Sequence, residues 1–136
     1  MTRGVNRRII EEFRANAGHV SGPLTGTPML LIHHTRARFE RVTPLAYQPQ
    51  GDGRYVIAAS NGGSPEHPRW YRDLTANPRI DVEVGSETLT VLARELEGAE
   101  RQEVWSALVE AFPSVGEFQS RTARRIPIFV LTRIRE

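Results

Sequence analysis

Three stretches of this chain gather side chains that could do chemistry. The first, Thr35-Arg36-Ala37-Arg38-Phe39-Glu40-Arg41, puts three arginines into six positions. Guanidinium forks grip phosphate or carboxylate through paired hydrogen bonds, so this cluster is a candidate anion site. Arg36 and Arg38 project to one side if the segment stays extended. The same residues also read as a solvated turn that Glu40 partly neutralises, and both readings stay open here. The second stretch, Ala58-Ala59-Ser60-Asn61-Gly62-Gly63-Ser64, is a small-residue loop after a strand. Such backbone can approach a ligand closely and offer amides to an anion. It lacks the lysine and spacing of a Walker loop and is not a dinucleotide fingerprint. The third is His67-Pro68-Arg69-Trp70-Tyr71-Arg72-Asp73-Leu74. Its adjacent aromatics can wall a planar ring, although Trp70 equally suits a core. The four histidines, His19, His33, His34 and His67, show no metal spacing. Neighbours on a strand, His33 and His34 face opposite ways and cannot share an ion. No metal is expected, and no nucleophile elbow is present.

These clusters need a scaffold, and the hydrophobic pattern supplies one. Ile9, Ile10 and Phe13 recur at helical spacing, and Gly18 is a plausible stop, giving an N-terminal helix within residues 1–18. Gly and Pro make residues 21–28 a loop. Strands are predicted at residues 29–34, 42–47 and 55–60, the last two separated by the turn Gly51-Asp52-Gly53. A short helix runs from His67 or Pro68 to Ala76, closed by Asn77-Pro78. Ile80, Val82 and Val84 alternate with acids as a half-buried strand, and Gly85-Ser86 turns the chain into a hairpin partner at 88–96. Residues 98–112 form the clearest helix, a short helix covers 115–122, and a strand ends the chain at 126–134. Hairpins with added helices indicate an α+β domain, and about six short strands suffice for a small barrel.

Composition narrows the class. The 136 residues suit one globular domain, 1–136. There are 18 basic side chains, all arginine, against 16 acids, for a net charge of +2. That balance gives little footprint for nucleic acid, so none is expected as a partner. With no cysteine, disulfides and thiolate chemistry are excluded, in keeping with a cytoplasmic setting. The apolar runs, Met29–Ile32 among them, are far shorter than a membrane span, and the basic N-terminus has no apolar region behind it, against a secretory signal.

Several segments in order carry a resemblance. They are Phe13-Arg14-Ala15-Asn16-Ala17-Gly18, Leu30-Leu31, Val42-Thr43-Pro44-Leu45, Ala59-Ser60-Asn61-Gly62-Gly63, His67-Pro68-Arg69-Trp70-Tyr71, Asp73-Leu74-Thr75-Ala76-Asn77-Pro78 and Arg125-Ile126-Pro127. Together they resemble the deazaflavin-dependent nitroreductase family over nearly the whole chain, most specifically from Ala59 to Pro78. The resemblance implies a split β-barrel and the cofactor F420, an 8-hydroxy-5-deazaflavin with a phosphate and a glutamate-rich tail. It implies hydride transfer from reduced F420 to a quinone, an activated double bond or a nitro compound. The cofactor would lie against Thr35, Arg36, Arg38, Arg41, Thr43, Pro44, Ser60, Asn61, Gly62, Gly63, His67, Pro68 and Trp70. Ser60 and Tyr71 are the catalytic candidates. Where nitro-reducing members carry tyrosines, this chain has Phe112, Val115 and Phe118. Those positions would contact substrate, and losing their hydroxyls favours an apolar enone or quinone-like acceptor over nitroimidazoles.

The family's Gly-Arg-Lys-Ser-Gly-like phosphate loop reads here Arg36-Ala37-Arg38-Phe39-Glu40, shorter and without glycine. FMN is therefore an alternative cofactor. A non-catalytic F420 carrier and a cofactor-free interaction domain are the remaining alternatives. Monomer against homodimer stays open, as does peripheral membrane contact through Arg3, Arg7 and Arg8.

Overall fold

The computed structural model describes residues 2–134, without the side chains of Thr2 and Arg3. Helix α1 (Thr2–Ala15) precedes a hairpin of β1 (Met29–Arg36) and β2 (Phe39–Ala46). After β3 (Gln48–Pro49) and β4 (Arg54–Ala58) come α2 (Arg69–Ala76) and the hairpin of β5 (Arg79–Val84) and β6 (Glu87–Glu95). Helices α3 (Gly98–Ala111) and α4 (Pro113–Ser120) lead into β7 (Ile128–Arg133).

All strands join one antiparallel sheet in the order β2-β1-β5-β6-β7-β4-β3. Its edges, β2 and β3, are separated in sequence by Tyr47 alone, so one run of chain serves both edges and the sheet curls round on itself. This is the expected α+β split barrel, but with seven strands rather than about six. The extra strand arises where that run bends at Tyr47. The Tyr47 amide carries the β1–β2 register one residue further, donating to the Pro28 carbonyl at 3.0 Å, and Gln48 then pairs with Val56 across the other edge.

The curl encloses a core of alternate strand residues, among them Leu30, Ile32, Ile57, Val82, Val91 and Leu131, covered by Trp70 and Leu74 of α2. A second core lies under α3 and α4, where Val104, Leu108 and Val115 meet Val56, Ile128 and Val130. Phe13 of α1 anchors a third against Val20, Met29 and Leu31, with Ile9 and Ile10 packed beside it. The apolar face of α1 is thus used against the sheet. No described helix is long and apolar enough to cross a membrane.

Helix α1 stops at Ala15, short of the expected 18, because Ala17 and Gly18 take left-handed φ of 52° and 93°. A Cβ on Gly18 would sit 2.8 Å from the Gly85 Cα, so glycine is required where α1 meets the β5–β6 turn. The β1–β2 turn also departs from expectation. Arg36 pairs with Phe39, leaving a two-residue turn with Ala37 at φ 55°. The segment is not extended, so alternation does not bring Arg36 and Arg38 to one side.

Candidate functional site

One open cleft of about 850 Å³ lies where α1, the β1–β2 hairpin, the loop after β4 and the start of α2 converge. That volume falls in the range of small-molecule and cofactor sites, roughly 300–1,000 Å³. Helix α1 supplies Asn6, Arg7, Ile10, Glu11 and Arg14. The hairpin supplies His34, Arg41, Thr43 and Leu45. Directly paired residues share a face, so the register His34↔Arg41, Ile32↔Thr43 and Leu30↔Leu45 aims this row inward. The third wall is Ser60, Asn61, Gly62, Glu66, His67, Pro68, Arg69 and Trp70.

The charge is asymmetric. Arg7, Arg14, Arg41 and Arg69 face two carboxylates, Glu11 and Glu66. Arg14 is engaged elsewhere: its Nε and Nη2 donate to Glu83 at 3.0 and 2.7 Å, holding the Glu83 carboxyl below the usual range and tying α1 to β5. Arg7 pairs with Glu11 at 3.4 Å one turn along α1. The lining therefore favours an anion.

The loop after β4 owes its shape to Arg124, which the sequence reading did not single out. Its guanidinium donates to the carbonyls of Ala59, Ser60 and Ser64 at 3.2, 2.8 and 2.8 Å and reaches His67 Nδ1 at 3.0 Å. Partial burial and this cation hold the His67 pKa below its ordinary value, so His67 receives the bond as a neutral ring. Gly62, at φ 65°, has open space where a Cβ would stand, and bare backbone faces the cleft there. A Cβ on Gly63 would lie 2.9 Å from the Phe118 carbonyl, so that glycine serves close packing of the loop on α4.

Of the residues singled out for a cofactor, the cleft brings together Arg41, Thr43, Ser60, Asn61, Gly62, His67, Pro68 and Trp70. Thr35, Arg36 and Arg38 lie at the hairpin end, outside its lining, and Pro44 and Gly63 do not line it either. Trp70 contributes an edge only. It is 4% exposed and packs 5.9 Å from the Phe129 ring. Tyr71 opens instead on a separate pocket of about 160 Å³ beside Glu95 and Arg101. Its hydroxyl donates to Glu95 Oε1 at 2.9 Å, and burial and that carboxylate raise its pKa. Phe112, Val115 and Phe118 also stand away from the cleft. Val115 is core, Phe112 packs on it, and Arg121 covers the Phe118 ring at 5.6 Å.

A buried pair completes the inner wall. His34 Nδ1 lies 2.6 Å from Asp73 Oδ2, and His34 Nε2 lies 2.8 Å from Thr43 Oγ1. The sequence held a signal for it: Asp73 falls on the same helix face as Trp70 and Leu74, and His34 continues the inward row Leu30–Ile32. A buried acid and a buried imidazole need partners.

The sequence profile of the F420H(2)-dependent quinone reductases matches residues 5–133. The chain belongs to that family. An F420H(2)-dependent quinone reductase of Mycobacterium tuberculosis is 36% identical over 127 residues, 89% of this chain and 85% of the relative. A solved F420-H2 dependent reductase is 40% identical with a TM-score of 0.70, covering 76% of this chain and 93% of that one. A solved domain-swapped dimer is 37% identical with a TM-score of 0.72, covering 96% of each. The family is the quinone reductase one, a correction to the nitroreductase name suggested by the motifs. As a member the chain is an F420-dependent oxidoreductase, which leaves no need for FMN or for a carrier or cofactor-free interaction role.

Proposed function

We propose that the cleft seats F420 in a single split-barrel domain and that the bound cofactor reduces a quinone-like or apolar enone acceptor. The observation that carries this is a cofactor-sized cleft whose lining has an excess of arginine and a stretch of bare loop backbone. The residues present fit the group. Arg41, Arg69 and Arg7 would take the phosphate and the acidic tail as charge-assisted partners. The backbone at Asn61 and Gly62 would approach the ring, with Ser60 as a polar contact and Leu45, Ile10 and the Trp70 edge as apolar walls. When bound, the cofactor supplies a hydride, the chemistry that protein side chains lack. The protein's share is orientation, charge complementarity and a fixed loop held by Arg124.

Titration of F420 into the purified protein, followed by deazaflavin fluorescence with FMN as control, tests the cleft. F420 alone should bind. Arg41→Ala should weaken it about tenfold, as expected for one lost charge-assisted bond. Arg38→Ala, at the hairpin turn, should leave it within about twofold. No F420 binding would overturn the cofactor reading, and a larger loss at Arg38 would move the anion site out of the cleft. Turnover with a panel of quinones, enones and nitro compounds identifies the acceptor class. A homodimer in the cytoplasm belongs to the same proposal, supported by the domain-swapped relative; sedimentation velocity checks the assembly. Membrane contact finds no support, because Ile9, Ile10 and Phe13 of α1 pack against the sheet and leave Val5 as the exposed large apolar residue of the helix.

A further inference from the structure

Three residues that no sequence motif joins meet at the inner wall of the cleft. His34 and Asp73 are 2% and 4% exposed, and Thr43 bridges His34 to the open space. Each comes from a different element: β1, α2 and β2. A carboxylate has no proton to give and only accepts hydrogen bonds. The 2.6 Å contact therefore assigns the imidazole proton to Nδ1. In the neutral ring Nε2 is then a lone pair, and the single O–H of Thr43 points at it across 2.8 Å. The Thr43 oxygen then keeps only lone pairs for a ligand.

We propose that the Asp73–His34 pair fixes the hydrogen-bonding sense of Thr43, so that its hydroxyl is an acceptor toward the cleft. This rests on the F420 reading above and deepens it. An acceptor oxygen repels phosphate and carboxylate but receives an N–H. The imide N–H edge of the deazaflavin ring is thus selected at Thr43, while the anionic part of the cofactor goes to the arginines. Asp73 and His34 act through Thr43 and are positioning residues. Asp73→Asn removes the constraint: turned with its NH2 to Nδ1 the new amide donates there, which allows the imidazole proton to move to Nε2 and frees the Thr43 hydroxyl to donate instead.

Nitrogen-15 NMR of the ligand-free protein reads the sense directly, with His34 signals assigned by their loss in His34→Gln. Expected is a pyrrole-type Nδ1 and a pyridine-type Nε2 in the natural chain, exchanged in Asp73→Asn. A protonated Nε2 in the natural chain overturns the proposal. F420 titration gives the second readout. Asp73→Asn and Thr43→Val should each weaken F420 about tenfold, one hydrogen bond of ordinary strength, with Thr43→Ser within about twofold of the natural chain. Should Asp73→Asn fail to fold, the Thr43 pair decides, and unchanged affinity in Thr43→Val overturns the proposal. If the natural protein does not bind F420, the cofactor reading and the ring placement fall together. The His34 spectrum then still decides the sense of the hydroxyl, so the two failures remain distinguishable.

Discussion

On the outer face of β1, His33 meets Glu83 at 2.7 Å and Glu40 at 3.2 Å, with 18% of its side chain exposed and Glu40 61% exposed. On the inner face, one residue along, His34 meets Asp73 at 2.6 Å with both side chains almost wholly buried, at 3% and 4% exposed. The two sites have the same residue type and the same kind of partner. Outside, water reaches the Glu40 carboxylate and screens its charge, so that contact adjusts at little cost. Inside, nothing replaces a lost partner, and the geometry becomes a constraint on the neighbouring hydroxyl. A histidine–carboxylate contact is adaptable where water reaches the acid, at Glu40, and a fixed polarity where it does not, at Asp73.

Substitutions can break that contrast, beginning with the largest effect. Asp73→Ala should cost about 3 kcal/mol in chemical denaturation, because it strands a buried imidazole. A loss comparable to that of Glu40→Ala would mean that the inner pair is as dispensable as the outer. Arg14→Ala should cost about 1 kcal/mol, a discounted value for a half-exposed guanidinium, and should raise hydrogen exchange along α1. Acidification gives a related effect. The folded Glu83 carboxyl is held below its usual pKa chiefly by the bond from Arg14. The stability it contributes is therefore present above the ordinary carboxylate range and lost as pH falls through the depressed value. Glu83→Gln should flatten that acid limb of the stability profile. Glu40→Ala should change stability by less than about 0.5 kcal/mol.

Much of the scaffold was legible because local rules and the fold agree. The alternation Ile80-Asp81-Val82-Glu83-Val84 and the turn Gly85-Ser86 gave the β5–β6 hairpin, and residues 98–111 are helical as their pattern requires. The opposite facing of His33 and His34 followed from strand geometry alone. The bend at Tyr47 was not legible, since it comes from long-range pairing with β4 rather than from a turn residue. Nor did periodicity reveal that the Arg36–Arg38 turn stands apart from the cleft while Arg41 enters it. Strand register decides that, and one residue of shift reverses it. Phe112 and Val115 join the packing beneath α3 and α4, and Phe118 lies under Arg121, where only the folded arrangement of α3 and α4 places them. Arg124 and Asp73 are single residues whose partners lie dozens of positions away, beyond the reach of any motif.

Strand β7 lies between β6 and β4, yet it comes last in sequence among the described strands. Until it is in place, both of its neighbours present bare backbone edges that could recruit another chain. During synthesis the curl can therefore close only after the six preceding strands have left the ribosome, and the two inner hairpin systems must wait open. A stop codon before Ile128 would leave two such edges permanently uncapped. The predictable result is aggregation rather than a slightly weaker enzyme, with quality control as the first system to register the defect.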